Sequence, residues 1–262
     1  MGKVIAIANQ KGGVGKTTTS VNLAASMAAT RRKVLLVDLD PQGNATMASG
    51  VNKYEAERTI YELLVEEQPV RDVIITDTTG GYDLIAANGD ATAAEIRLME
   101  VFARELRLRT ALAPIREEYD YIFIDCPPAL NLLTVNAMSA ADSVLVPMQC
   151  EYFALEGLTA LVDTISKLAA VVNPQLKIEG VLRTMFDHRN RLSNEVSEQL
   201  KQYFGEKVYR TIIPRNVRLA EAPSHGTPVM YYDKSSLGSK AYLGLAGELL
   251  RREEQQQKAE AS

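Results

Sequence analysis

Short apolar runs recur along the chain, each bounded by polar or turn-forming positions, and the stretches between them carry apolar residues at helical spacing. The runs predict strands near Lys3–Ala8, Lys33–Asp38, Tyr121–Asp125, Ser143–Gln149 and Lys177–Phe186. Shorter strands are expected around Tyr82–Ala86 and Lys207–Ile212. Helical spacing predicts helices over Thr17–Ala29, Ala91–Glu117, Ala154–Val171, Arg191–Phe204 and Gly238–Arg252. Residues 72–81, which end in Thr-Thr-Gly-Gly, read as a loop-flanked insertion before the Tyr82–Ala86 strand. This alternation is what a parallel sheet with crossover helices requires, so the pattern predicts an α/β fold: a mainly parallel twisted sheet flanked by helices on both faces. No internal repeat is visible.

Composition sharpens this only a little. With 262 residues, 46% of them hydrophobic, the chain can bury one sizeable core. A single domain over residues 1–252 is expected, followed by a polar tail, 253–262, that frays. No apolar run approaches the roughly 20 residues of a bilayer span. The apolar start of the chain leads directly into functional sequence with no secretory segment before it, so a cytoplasmic protein is expected. Cys126 and Cys150 read as small buried or loop thiols. His188 and His225 have no spacing suited to zinc. A net charge of −4 argues against a generally basic nucleic-acid protein and leaves room for a local basic patch.

The first strand feeds the segment Lys11-Gly12-Gly13-Val14-Gly15-Lys16-Thr17-Thr18 and then a helix. A strand, a glycine-rich turn and a helix in that order aim several backbone N–H groups at one point, where an anion belongs. The glycines allow backbone conformations that a Cβ would obstruct. In such a P-loop Lys16 neutralises phosphate charge and the Thr17 hydroxyl ligates Mg²⁺. Gln10 stands where the usual pattern has its first glycine, and Lys11 is an additional lysine that opens the loop. From that position it does not duplicate Lys16 and is placed to reach the nucleotide of a neighbouring subunit.

Carboxylates at strand ends complete the expected chemistry. Asp125 closes the run Tyr121-Ile122-Phe123-Ile124, the Walker B pattern of a metal-holding acid, with Mg²⁺ held through water. Asp38 and Asp40 alternate at the end of the second strand, before Pro41 and Gly43. Either can serve simple turn chemistry, or one of them can face a γ-phosphate. Asp38 is the one expected to organise the lysine or metal shell.

The loop with its early lysine resembles the deviant Walker A motif of the ParA/MinD superfamily of dimerising P-loop ATPases. Residues 147–157 (Pro-Met-Gln-Cys-Glu-Tyr-Phe-Ala-Leu-Glu-Gly) and 213–226 (Ile-Pro-Arg-Asn-Val-Arg-Leu-Ala-Glu-Ala-Pro-Ser-His-Gly) extend the likeness to ParA/Soj-type partition ATPases over nearly the whole chain. The resemblance implies a weak Mg²⁺-dependent ATPase that uses ATP and Mg²⁺. Lys11 then crosses to the partner's nucleotide in an ATP-induced homodimer, and Asp40 positions the attacking water. It also implies that Pro214 and Asn216 contact the adenine, although read alone Pro214 ends a strand and Asn216 turns the chain. The ATP dimer of such proteins binds DNA without sequence preference, which makes them nucleoid-associated. A ParB-like centromere-binding partner stimulates hydrolysis and releases them. Arg189, Arg191, Arg215, Arg218, Arg251 and Arg252 are candidate phosphate contacts, with Arg189 and Arg218 preferred. After Leu250 the sequence turns to Glu and Gln and lacks the apolar face a membrane helix needs. The alternative within the same resemblance is positioning of a non-DNA cargo such as a protein cluster.

Overall fold

The computed structural model describes residues 2–260. Its strands are β1 (Lys3–Ile7), β2 (Val34–Asp38), β3 (Ile74–Ile75), β4 (Asp83–Ile85), β5 (Tyr121–Asp125), β6 (Ser143–Gln149), β7 (Lys177–Phe186) and β8 (Val208–Pro214). They form one sheet in the order β3-β4-β2-β5-β1-β6-β7-β8, parallel except for β3, which runs antiparallel to β4 at one edge. The helices are α1 (Lys16–Ala29), α2 (Asn44–Ala48), α3 (Ile60–Leu64), α4 (Val70–Val73), α5 (Asp90–Leu98), α6 (Arg107–Leu112), α7 (Leu132–Ala140), α8 (Ala154–Val171), α9 (Arg191–Phe204), α10 (Val217–Glu221), α11 (Val229–Tyr232) and α12 (Leu237–Glu260).

Strand alternation divides the core in two. Val4 and Ala6 of β1 pack with side chains from α3–α9 on one face of the sheet. Ile5 and Ile7 pack on the other with Val21, Leu23 and Met27 of α1 and Tyr242, Leu245 and Leu249 of α12. The central strands are buried on both faces, as a parallel sheet covered by crossover helices must be. Register then aligns the functional strand ends. Ile7 pairs with Asp125, Asp38 also pairs with Asp125, Gln149 pairs with Thr184, and Phe186 pairs with Pro214. The P-loop, both acidic strand ends and the start of the 215–226 segment therefore leave the sheet along its C-terminal edge, where open α/β sheets hold ligands.

Three local expectations are corrected. The helix expected over 91–117 is interrupted: α5 stops at Leu98, Ala103 adopts a left-handed φ of 52°, and α6 lies between 3-10 turns at Arg104–Leu106 and Ala113–Glu118. Asn136 of α7 explains the break. Its amide donates to the Arg104 carbonyl at 2.8 Å and accepts from the Leu108 N–H at 3.1 Å, satisfying backbone groups that a continuous helix would have paired internally. Pro114, which has no N–H, ends the regular helix soon after. The 72–81 segment is partly regular, supplying the end of α4 and the edge strand β3. The tail expected to fray from Glu253 continues α12 to Glu260, while Ala261 and Ser262 lie outside the described residues. Glu253 anchors that extension, pairing with Lys3 at 2.7 Å and accepting a hydrogen bond from the Tyr121 hydroxyl. Among the described residues no helix is long and apolar enough to cross a membrane.

Candidate functional site

The loop between β1 and α1 is built around its glycines. Gly13 and Gly15 have φ of 71° and 87°, left-handed values that a side chain resists. No atom lies within 4 Å of where a Cβ would sit on Gly12 or Gly13, so their backbone lines open space. Asn9 ties the start of the loop to β6: its Nδ2 donates to the Pro147 carbonyl at 2.8 Å, and its Oδ1 accepts from the Lys11 N–H at 3.0 Å. Gly15 caps α1, directing the unpaired N–H groups of that helix's first turn at the loop. Thr18 sits in that turn, where its carbonyl accepts from the Asn22 amide at 2.8 Å.

Lys16 is buried, 7% exposed, and its ammonium contacts the Lys11 carbonyl at 3.3 Å. Burial lowers its pKa below the ordinary lysine value, against the opposing pull of Asp125, the Cys126 thiol and Asp40. Thr17 Oγ1 donates to Asp125 Oδ2 at 2.8 Å, and Ser20 Oγ donates to Asp125 Oδ1 at 2.7 Å. Asp125 is fully buried, which raises its pKa above the ordinary carboxylate value despite both hydroxyl donors. Ser20 carries no motif signal in the sequence, although its place three residues after Thr17 puts it on the same side of α1.

A hydroxyl beside a buried carboxylate, next to a glycine loop and a lysine, is an oxygen donor set for a hard cation. Among the described residues no group of three or more His, Cys, Asp or Glu side chains could enclose a metal. This composition fits Mg²⁺, which keeps several waters and takes its remaining ligands from one or two protein oxygens and substrate phosphates. Thr17 and Asp125 are the residues that would hold it.

The segment after β2 folds back through both of its aspartates. Asp38 makes no hydrogen bond to Lys16 or Thr17. Its Oδ2 accepts from the Thr46 N–H at 2.9 Å and the Thr46 hydroxyl at 2.8 Å, and its Oδ1 accepts from the Asp40 N–H at 3.1 Å. Asp38 thus fastens the first turn of α2 and sets the backbone of Asp40. Burial, and then the charge of Asp125 on the neighbouring strand, push its pKa up to about 8. Asp40 is 8% exposed; its Oδ1 accepts from the Gln42 N–H at 3.0 Å, and Gly43, with φ of 59°, completes the turn. Among the described residues, the other Asp40 oxygen has no such backbone tie. Thr46 carries no local sequence signal, since it matters only through a strand end eight positions earlier.

Lys11 stands apart from this buried cluster. Its side chain is 52% exposed and pairs with Glu151, which follows β6 and is equally open at 51%. A pair this exposed is screened by water and holds the lysine weakly. At the other end of the site Pro214 closes β8, and Asn216 caps α10, its Oδ1 accepting from the Arg218 N–H at 3.1 Å. The structure therefore bears out the strand end and the turn at these two positions and places them on the same sheet edge as the loop. Arg189 is 90% exposed and is gripped by Asp187 through Nε at 3.0 Å and Nη2 at 2.8 Å. Arg218 pairs with Glu221 at 2.8 Å and Asp233 at 3.3 Å. Both follow neighbouring strand ends, β7 and β8, and both carry acidic partners that the sequence pattern does not assign. Cys126 and Cys150 are buried, and burial pushes the Cys150 thiol up to about 11.

Residues 2–178 match a family model described as an AAA domain. Over 249 residues the chain is 53% identical to the sporulation initiation inhibitor protein Soj of Bacillus subtilis, covering 95% of this chain and 98% of that protein. It is 51% identical over 257 residues to the chromosome partitioning protein ParA of Caulobacter vibrioides, covering 97% and 96%. Among solved structures it is similar to one from Mycobacterium smegmatis described as cobyrinic acid a,c-diamide synthase with bound ADP and magnesium. That likeness has a TM-score of 0.85 at 36% identity and covers 97% of this chain and 96% of the other.

Proposed function

The chain belongs to the ParA/Soj family of partition ATPases, and we propose that it is a DNA-segregation switch in which ATP joins two copies that then bind DNA. The observation that carries the reading is the contrast in burial between two lysines on one loop. Lys16 is buried against Asp125 and Asp40, whereas Lys11 is half-exposed and held only by a solvent-screened pair. The first serves the nucleotide of its own subunit; the second is free to leave Glu151 for a phosphate brought by a facing copy.

In the proposed cycle the backbone N–H groups from Gly12 to Thr18 cradle the phosphates, and Lys16 neutralises charge on the β and γ groups. Mg²⁺, when bound by Thr17 and Asp125, supplies charge neutralisation at the phosphate oxygens. Pro214 offers an apolar face to the base, and Asn216 offers amide atoms to its edge. Asp40 holds a water by its untied carboxylate oxygen, in line with the bond between the γ-phosphorus and the β–γ bridging oxygen. Water oxygen bonds to phosphorus, the bridging oxygen leaves with ADP, and the water's proton passes to solvent or to the released phosphate. Positioning of this kind supplies most of the rate in phosphoryl transfer. Among the described residues no arginine hydrogen-bonds or pairs with Asp40, so intrinsic turnover is slow, and a ParB-like partner accelerates it to release the dimer from the nucleoid.

Arg189 and Arg218 are the proposed DNA contacts. Their pairs with Asp187 and Glu221 are exposed and that with Asp233 is half-buried, so a polyanion competes for them at little cost. Dimerisation doubles the patch, and each neutralised phosphate releases counterions. The double variant Arg189→Ala/Arg218→Ala, titrated with duplex DNA at several salt concentrations in the ATP state, is expected to bind at least about tenfold more weakly. Its salt dependence should become shallower by roughly 0.9 in log–log slope for each phosphate that the variant no longer neutralises. An unchanged slope would assign DNA binding to other residues.

A further inference from the structure

We infer that Thr184 is a positioning residue for the nucleotide phosphates: its hydroxyl fixes the peptide between Val14 and Gly15 and thereby aims the Gly15 N–H into the phosphate cradle. The inference rests on the loop being that cradle. Thr184 lies near the end of β7, 2% exposed, and its Oγ1 donates to the Val14 carbonyl at 2.7 Å. In a trans peptide the C=O and the following N–H point in opposite directions. A clamp on the Val14 carbonyl consequently decides where the Gly15 N–H points. Gly15, with φ of 87°, has no side chain of its own to resist rotation of that peptide. The Thr184 Cβ and methyl lie 3.8 Å from the place a Gly15 Cβ would take, so the threonine also packs against the loop.

The clamp is itself held rigidly. Arg183, the residue before it, turns to the opposite face of the strand and donates to Ser197 Oγ at 2.8 Å and to the Tyr209 carbonyl at 2.7 Å. Met185, the residue after it and still within β7, has a left-handed φ of 48° where the pairing with β8 shifts register, a backbone state that side-chain-bearing residues rarely keep unless their surroundings impose it. The loop therefore has two tethers on paired strands. Asn9 ties its start to Pro147 of β6, and Thr184 ties its end to β7, with Gln149 opposite Thr184 in the register. Without the hydroxyl the Val14 carbonyl would lie buried and unpaired, and the peptide would rotate to find another donor, carrying the Gly15 N–H with it.

The test uses the full chain and equilibrium titration with Mg²⁺–ATP and Mg²⁺–ADP, comparing Thr184→Val, which removes only the donor, with Thr184→Ser, which keeps it. Thr184→Val is expected to raise Kd for both nucleotides about tenfold, equivalent to about 1.4 kcal/mol, while Thr184→Ser stays within about threefold of wild type. Thr184→Ala takes the place of Thr184→Val if the valine variant does not fold, with the same loss expected. Wild-type affinity in the valine or alanine variant, or an equal loss in the serine variant, overturns the inference. A wild-type chain that binds neither nucleotide overturns the loop reading itself, which keeps the two failures distinct.

Discussion

Replacing Asp40 with alanine is expected to slow ATP hydrolysis by about 100-fold or more while ATP affinity stays within about threefold of wild type. Asp40 is held just off the phosphate loop by Asp38 and Gln42, and its pull on Lys16 ranks behind that of Asp125. Removing it takes away the group that aligns water and leaves the groups that cradle phosphate. Because nothing then empties the site, the variant remains in the ATP state and is retained on DNA longer than wild type. Single-turnover hydrolysis and nucleotide titration on the same sample separate the two effects. A parallel loss of affinity and rate would move Asp40 from the reaction to the binding of the nucleotide.

Lys16→Ala carries the largest expected loss of binding: ATP affinity falls by about 100-fold or more, and with it dimerisation and DNA retention. The magnitude follows from burial. Lys16 is 7% exposed as a residue, and its ammonium feels the charges of Asp125 and Asp40, a setting in which charge is poorly screened. Without it, the charges of Asp125 and Asp40 act on the phosphates with no Lys16 ammonium to offset them. Titration with a fluorescent ATP analogue measures the loss; affinity within tenfold of wild type would contradict the assignment.

Much of the scaffold is legible in the sequence because its signals are local. The strands β5, β6 and β7 and the helices α8 and α9 begin and end where their apolar runs and caps do. Helix α7 escapes such a reading because it is buried nearly all round, its polar Thr134, Asn136 and Ser139 included, so no helical stripe marks it. The break in the 91–117 segment is imposed by Asn136, which lies beyond that segment's own pattern. In the site, the glycines, Lys16, Thr17, Asp40 and Asp125 stand in short motifs and meet along one sheet edge. What does not show are the residues that hold those groups in place. Thr46 on Asp38, Glu151 on Lys11 and Thr184 on Val14 are side chains of ordinary type; the turn after β2 brings the first to its partner, and the parallel crossovers bring the other two.

If two subunits read the nucleotide through Lys11, the molar mass of the ATP state must show it. In the Asp40→Ala background, which prevents turnover, light scattering should give twice the 28.8 kDa chain mass with Mg²⁺–ATP and the single-chain mass with ADP or without nucleotide. Adding Lys11→Ala should return the ATP sample to the single-chain mass while nucleotide titration still shows ATP bound. Doubling that persists without Lys11, or one mass in all three nucleotide states, would show that Lys11 does not join the subunits.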